Sequence, residues 1–257
     1  MSTGPAMSPR KVRNVQGKTV MVVTCEHGGN KIPAVYRSLF SGAEEVLKSH
    51  RGWDPGALAV AKAMAARLGT NLFSSTTSRL LVELNRSLGH RSLFSNYTAS
   101  LPAEQRKQIV EKYWQPYRDE VTAHMEEIVN AGHCVIHLSI HSFTPVWDGK
   151  LRRTRIGLLY DPRRLNERSF CNTWKAELRK QSPEHTIHSN QPYKGIADGF
   201  TTWLRRHLAA FESCEATYAG IEIEINQALI HPSTVSRIEA IAELLCQWPL
   251  RQLSRLS

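Results

Sequence analysis

Along this chain, apolar runs rich in β-branched residues alternate with stretches whose apolar residues recur at helical spacing. Runs of strand character cover 18–25, 70–76, 78–84, 134–140, 155–160 and 218–225, and helical stretches cover 54–68, 102–131, 163–181, 196–211 and 232–247. In the first helical stretch Leu58, Ala61, Met64, Ala65 and Leu68 share one face. Ser100-Leu101-Pro102-Ala103-Glu104 supplies a start for the long second one, with Ser ahead of a Pro in the first turn and Glu behind it. Alternation of this kind predicts an α/β fold, a single-domain α/β/α sandwich around a mixed, mostly parallel sheet. Sites in such sheets lie at the C-terminal ends of the strands. No repeat, low-complexity tract or linker divides the sequence, so residues 18–257 are read as one domain behind a flexible basic tail, 1–17.

Several strands end, or alternate internally, in groups that can carry charge. Thr19–Cys25 runs straight into Glu26-His27-Gly28-Gly29-Asn30, and Cys134–Ile140 into His141-Ser142. A lone histidine after a strand is usually a hydrogen-bonded turn residue. Two of them at two strand ends point instead to a shared metal, and nitrogen and oxygen ligands with an open position suit catalytic zinc. His137 shares a strand face with His141 but lies roughly 13 Å away along an extended chain, too far for one ion, and is read as an internal hydrogen-bonding histidine. A carboxylate should complete the site. Asp54 and Glu26 are the candidates, although Asp54 before Pro55 also fits an ordinary helix cap.

Arg79 and Arg86 flank the run 78–84, with Asn85 beside the second. Arginine grips carboxylates through a bidentate fork, so this strand is expected to clamp an acidic substrate, the bland alternative being a surface ion pair with Glu83. In Gly220–Asn226 the isoleucines alternate with Glu222 and Glu224, so both glutamates share one face. A carboxylate in a cleft can act as general base toward water held by a metal.

Composition narrows the classes. At 257 residues, 41% hydrophobic and 22% charged, the chain can bury a full core. It has no apolar run near the ~18–20 residues of a membrane span, and its start lacks the apolar core of a secretory signal, which gives a cytoplasmic expectation. The five cysteines are scattered with no CxxC, against a disulfide framework or thiolate zinc. The net charge of +10 invites a nucleic-acid reading, but the arginines are dispersed and no known nucleic-acid motif is present. A basic field that draws small anions is the better account.

At these residues the sequence resembles the N-formylglutamate amidohydrolase family. The matching pieces, in order, are Cys25 to Pro33, His50-Arg51-Gly52-Trp53-Asp54-Pro55-Gly56-Ala57, Ser78-Arg79-Leu80 through Asn85-Arg86, His141 to Pro145, Asn190-Gln191-Pro192-Tyr193-Lys194-Gly195 and Glu222 to Asn226. The resemblance implies a zinc-carboxypeptidase and aspartoacylase-like fold and a cytoplasmic hydrolase of linear amides, with one zinc per chain. Its substrate would be a small anionic N-acyl amino acid, N-formyl-L-glutamate first, giving formate and glutamate. It implies that His27 and His141 bind zinc, with either Asp54 or Glu26 completing the site. Arg79 would polarise the scissile carbonyl, Asn85 and Arg86 would hold the α-carboxylate, and Tyr193 would cover the substrate. Glu224 would activate water and pass its proton to the leaving nitrogen. The carboxypeptidase pattern has a glutamate three residues after the first histidine; here that place is Asn30, a poorer ligand. The alternatives are a metallopeptidase or deacylase acting on another acyl amino acid, and a non-enzymatic anion-binding or nucleic-acid-binding protein on the same fold.

Overall fold

The computed structural model describes residues 17–213, 217–230 and 234–256; nearly all of the expected basic tail, and Cys214, lie outside the described residues. The strands are β1 (Thr19–Cys25), β2 (Leu72–Ser74), β3 (Cys134–Phe143), β4 (Val146–Trp147), β5 (Lys150–Leu151), β6 (Ile156–Leu159), β7 (Ile187–Ser189) and β8 (Tyr218–Asn226). The helices are α1 (Glu44–Lys48), α2 (Ala57–Leu68), α3 (Ala103–Ile109), α4 (Gln115–Asn130), α5 (Leu165–Gln181), α6 (Phe200–Leu208) and α7 (Val235–Leu256). Six strands form one sheet in the order β2-β1-β3-β8-β6-β7, and β4 and β5 form a separate hairpin. The strands β2, β1, β3 and β8 run parallel, β6 is antiparallel to β8, and β7 is parallel to β6. The sheet is therefore mixed and mostly parallel, as the alternating pattern predicts.

Both sheet faces are covered. One carries α2, α5 and α7, with Val23, Leu138, Ile140, Ile221, Ile223 and Ile225 packed against Met64, Trp174 and Leu245. The other carries α4 and α6, with Val22, Val135 and Tyr218 against Met125, Phe200 and Leu204. The isoleucines of β8 stabilise the first face by burying their whole side chains, worth about 1.5–3 kcal/mol each. That burial locks the strand's register, because a one-residue slip would drive the glutamates into an apolar core. Glu222 and Glu224 are thereby aimed at the second face, opposite Ser139 and His141 of β3.

Two expectations are corrected. Residues 78–84 are not a strand but a run of turns. Leu80, Leu81, Val82 and Leu84 are all buried, so no alternation of faces exists. The polar backbone is met by side chains instead: Ser95 donates to the carbonyl of Leu80, Thr98 to Leu81 and Arg118 to Leu84. A leucine-rich run reads equally as strand, helix or buried coil. The long helix over 102–131 forms, but as α3, a π-helical turn at Val110–Trp114, and α4. That turn places Trp114 so that its indole N–H donates to the carbonyl of Arg86 at 3.0 Å, tying the helix to the segment that carries Asn85 and Arg86.

Candidate active site

Of the expected groups, His27, Asp54, Arg79, Asn85, Arg86, His141, Tyr193 and Glu224 reach one cavity of about 400 Å³, and Glu26 does not. Ser142, Lys194, Ala197, Asp198 and Glu222 complete the lining of the cavity. His27 stands two residues past β1 and His141 near the end of β3; the two strands are neighbours, so their ends bring the rings to 5.0 Å between centroids. Asp54 is held from the loop before α2. The helix caps itself with Gly56 at φ +83°, where a Cβ would meet the carbonyl of Ile230 at 2.5 Å. Asp54 is thus released from a capping role and points inward, 3% exposed. Added Cβ atoms at Gly28 and Gly29 would sit 2.8 and 2.7 Å from the carbonyls of Ser75 and Thr76, so these glycines allow close passage of neighbouring backbone rather than making room for a ligand.

The three inner atoms lie close together. His27 Nδ1 is 3.3 Å from Asp54 Oδ2 and 3.2 Å from His141 Nδ1, and His141 Nδ1 is 3.0 Å from the same carboxylate oxygen. The outer ring nitrogens are taken: His27 Nε2 donates to Glu83 Oε1, and His141 Nε2 lies 2.9 Å from Ser139 Oγ and 3.2 Å from Glu26 Oε2. In their neutral forms, with the proton on the outer nitrogen, both rings would turn an Nδ1 lone pair toward the aspartate. Three acceptors at 3.0–3.3 Å match the edge of a tetrahedron whose ligands stand ~2.0–2.1 Å from a central ion. His27, Asp54 and His141 form a buried group able to hold a metal ion. Asn30 is no part of it. Its amide donates to the carbonyl of Leu47, and it lines a separate cavity with Lys31, Arg37 and Phe40.

Charge supports the same assignment. Arg79 donates from Nη1 to Asp54 Oδ1 at 2.9 Å and from Nε to Glu83 Oε2 at 2.8 Å. Asp54 and Glu83 flank the Arg79 guanidinium and Glu26 lies behind His141, so three buried carboxylates gather around the histidine pair, negative charge that would favour a divalent cation. Burial pushes His141 down, but the hydrogen bonds and charges of Asp54 and Glu26 outweigh it and hold the imidazole well above its ordinary pKa. Burial likewise opposes ionisation of Glu26, Asp54 and Glu83, yet His141, His137 and Ser139 keep Glu26, and His27 and Arg79 keep Asp54 and Glu83, below the usual carboxylate range.

Glu224 is the exception among the acids. It is 6% exposed and its Oε2 has no hydrogen-bond partner. Burial, reinforced by Asp54 and Glu222 and opposed by His141 and Arg79, pushes its pKa up to about 7. A carboxyl poised near neutrality, unpartnered and facing the cavity, has the properties of a general base.

Asn85, Arg86 and Tyr193, the residues expected to hold and cover the substrate, also line the cavity. Asn85 Oδ1 accepts from the backbone N–H of Phe200 at 2.6 Å, which leaves its Nδ2 to donate into the cavity. Arg86 Nη1 is fixed by the carbonyls of Asn85 and Asp198 at 2.9 and 2.6 Å. The Tyr193 hydroxyl accepts from Arg152 Nη1 at 3.1 Å. Sequence reasoning missed the outer carboxylates. Glu83 was weighed only as a surface partner of Arg79 and Glu26 as a metal ligand, yet both are buried behind the histidines. The four-residue spacing of Arg79 and Glu83 was the available signal, and the turn that buries it was not legible.

Residues 19–231 match the sequence profile of the family described as N-formylglutamate amidohydrolase. Among solved structures the chain is similar to the gene product Atu2144 from Agrobacterium tumefaciens, with 29% identity, a TM-score of 0.74, and 92% of this chain and 89% of that one covered. It is also similar in fold to an N-formylglutamate amidohydrolase from Ralstonia eutropha JMP134, with 18% identity, a TM-score of 0.67, and 93% and 96% covered. A search of curated protein sequences gives no significant match. No helix among the described residues is long and apolar enough to cross a membrane.

Proposed function

We propose a substrate class and a mechanism for a chain that belongs to the N-formylglutamate amidohydrolase family, and is therefore a hydrolase of linear amides. The reading is zinc-dependent hydrolysis of an N-acyl amino acid, with N-formyl-L-glutamate as the family's namesake substrate and formate and glutamate as its products. One observation carries it: the buried, unpartnered Glu224 Oε2 shares a cavity with the His27–Asp54–His141 group.

Two imidazoles and a carboxylate with a position left open suit catalytic zinc, which when bound polarises a carbonyl and makes water nucleophilic near neutral pH. The chain supplies the rest. Glu224 takes a proton from the attacking water and returns it to the amide nitrogen, so that the C–N bond breaks to a carboxylic acid and a neutral amine. Arg79 is clamped in place by Asp54 and Glu83 and donates to the carbonyl oxygen as negative charge develops there. The Asn85 Nδ2 and the free edge of Arg86 hold the α-carboxylate and fix which amide is presented. Tyr193, bounded by Pro192 and anchored by Arg152, closes over the substrate. Glu83 and Glu26 orient the two imidazoles and raise their basicity from behind.

The test is metal content of the purified protein together with formate release from N-formyl-L-glutamate before and after chelation. About one zinc per chain with chelator-sensitive release is the expected result. Zinc-free protein that still hydrolyses the substrate would overturn the mechanism.

A further inference from the structure

A second cavity, about 530 Å³, adjoins the first and shares Asp54, Arg79, Ser142 and Tyr193 with it. Its own lining is His50, Arg51, Leu80, Ser92, Phe143, Thr144 and Trp147. The two are lobes of one cleft that meet at the metal-ligating group. Glu224 lines only the first lobe, with Asn85 and Arg86. A residue that returns a proton to the leaving nitrogen must lie on the amine side of the scissile bond. The amine half of the substrate therefore fills the first lobe, and the acyl half points into the second. This step rests on the role proposed above for Glu224.

A formyl group has one hydrogen on its carbonyl carbon and would leave that second lobe empty. The lobe is built to be filled. Its outer wall is the hairpin of β4 and β5, which follows β3 directly and presents Trp147, 54% exposed, toward His50 with ring centroids 5.9 Å apart. The Arg152 guanidinium stands over Phe143, Trp147 and Tyr193 at 5.4, 5.0 and 5.3 Å from the ring centres, and is pinned by the Tyr193 hydroxyl. That brace fixes three rings before any substrate arrives, so little entropy is lost on binding. The preset rings of Phe143, Trp147 and Tyr193 offer flat surface that suits an aromatic group, while Arg51 and Ser92 keep the rest of the lobe polar.

We propose that this lobe is an acyl subsite and that the enzyme prefers N-aroyl amino acids, with an acyl group about the size of benzoyl, over N-formyl ones. Trp147 is the specificity-determining residue.

The experiment compares kcat/KM of the zinc-loaded enzyme for the N-formyl, N-acetyl, N-benzoyl and N-succinyl derivatives of one amino acid, L-glutamate, with wild type and Trp147→Ala. Benzoyl should exceed formyl by at least about tenfold, the scale on which an apolar pocket discriminates. Trp147→Ala should lower benzoyl turnover about tenfold more than formyl turnover, mainly through KM. Benzoate should also bind the wild-type holoenzyme more tightly than formate in calorimetry, and lose that advantage in the variant. Formyl as the best substrate, or an equal loss on both in Trp147→Ala, would overturn the acyl subsite while leaving the amidohydrolase reading intact. A preference for succinyl would overturn the aromatic assignment. No hydrolysis of any member of the series would strike down the underlying reading itself.

Discussion

His137 and His141 lie on the same face of β3, four residues apart, and both are buried, yet their surroundings give them opposite chemistry. His137 is bracketed by hydroxyls, Thr24 Oγ1 at 2.8 Å and Tyr218 at 2.7 Å. Burial pushes its pKa down to about 4, so it is a neutral cross-brace between strands. His141 meets Asp54 and Glu26, and their charges pull it well above its ordinary value. Burial acts on both. The difference is the supply of carboxylates, which comes from the loops beyond the C-terminal strand ends and not from the middle of the sheet. Four residues along one strand thus separate a neutral structural histidine from one in a group able to hold a metal ion.

The largest effect should come from His141→Ala, which removes an inner ligand. Zinc content and turnover should both fall to background, and undiminished zinc by elemental analysis would break the contrast drawn here. Glu224→Gln should keep its metal and lose ~10²–10⁴-fold in kcat, the usual contribution of a general base. Wild-type kcat/KM should rise with pH as Glu224 ionises, because the charged form is the base, and that limb should vanish from the residual activity of the variant. Burial raises the pKa of this group to about 7, and a bound cation moves it lower, so the limb should lie at or below neutrality.

Smaller losses should follow from the carboxylates behind the histidines. Glu83→Gln and Glu26→Gln should each weaken zinc by ~10–100-fold in a chelator competition while leaving the fold intact. An unchanged affinity would mean that the outer carboxylates serve only packing.

His137→Gln should leave zinc content and kcat nearly unchanged and reveal its effect only in stability against pH. The folded-state pKa of His137 is about 4, below its ordinary value of 6.5. The unfolded chain therefore takes up the proton first as pH falls, so the contribution of the neutral histidine is full above pH 6.5 and is lost on descending toward pH 4. Near pH 4.5 wild type should have lost about 2–3 kcal/mol that the variant does not lose, measured as the difference in denaturant midpoints between neutral and acid buffer. Parallel pH curves for the two proteins would show that His137 is not held neutral.

Much of the sheet was legible because its signal is local. The β-branched runs of β1, β3 and β8 have enough apolar residues to specify strands, and the Ile–Glu alternation of β8 announced which residues face the cavity. The helices α2 and α5 were legible from their period. The short strand β7 and the hairpin of β4 and β5 were not, being two or three residues long and held by what they pair with. Arg79, Asn85 and Arg86 were found as candidates on a wrong local premise. They sit on a buried coil, held by hydrogen bonds from Ser95, Thr98 and Arg118 that no window of sequence around 78–86 contains.

The sequence by itself determined the alternating layers, the parallel strand ends and the residue types that end them, because hydrophobic period and chain order act over a few residues at a time. Only the tertiary structure decided which carboxylate completes the histidine pair. Asp54, Glu26 and Asn30 are comparable candidates in one dimension. In three, the left-handed Gly56 turns Asp54 inward to 3.0–3.3 Å from both imidazoles, Tyr117 and Ser139 hold Glu26 behind His141, and Leu47 draws Asn30 away. Ligand selection is a matter of a few tenths of an ångström between groups far apart in the chain, and only packing fixes distances of that kind.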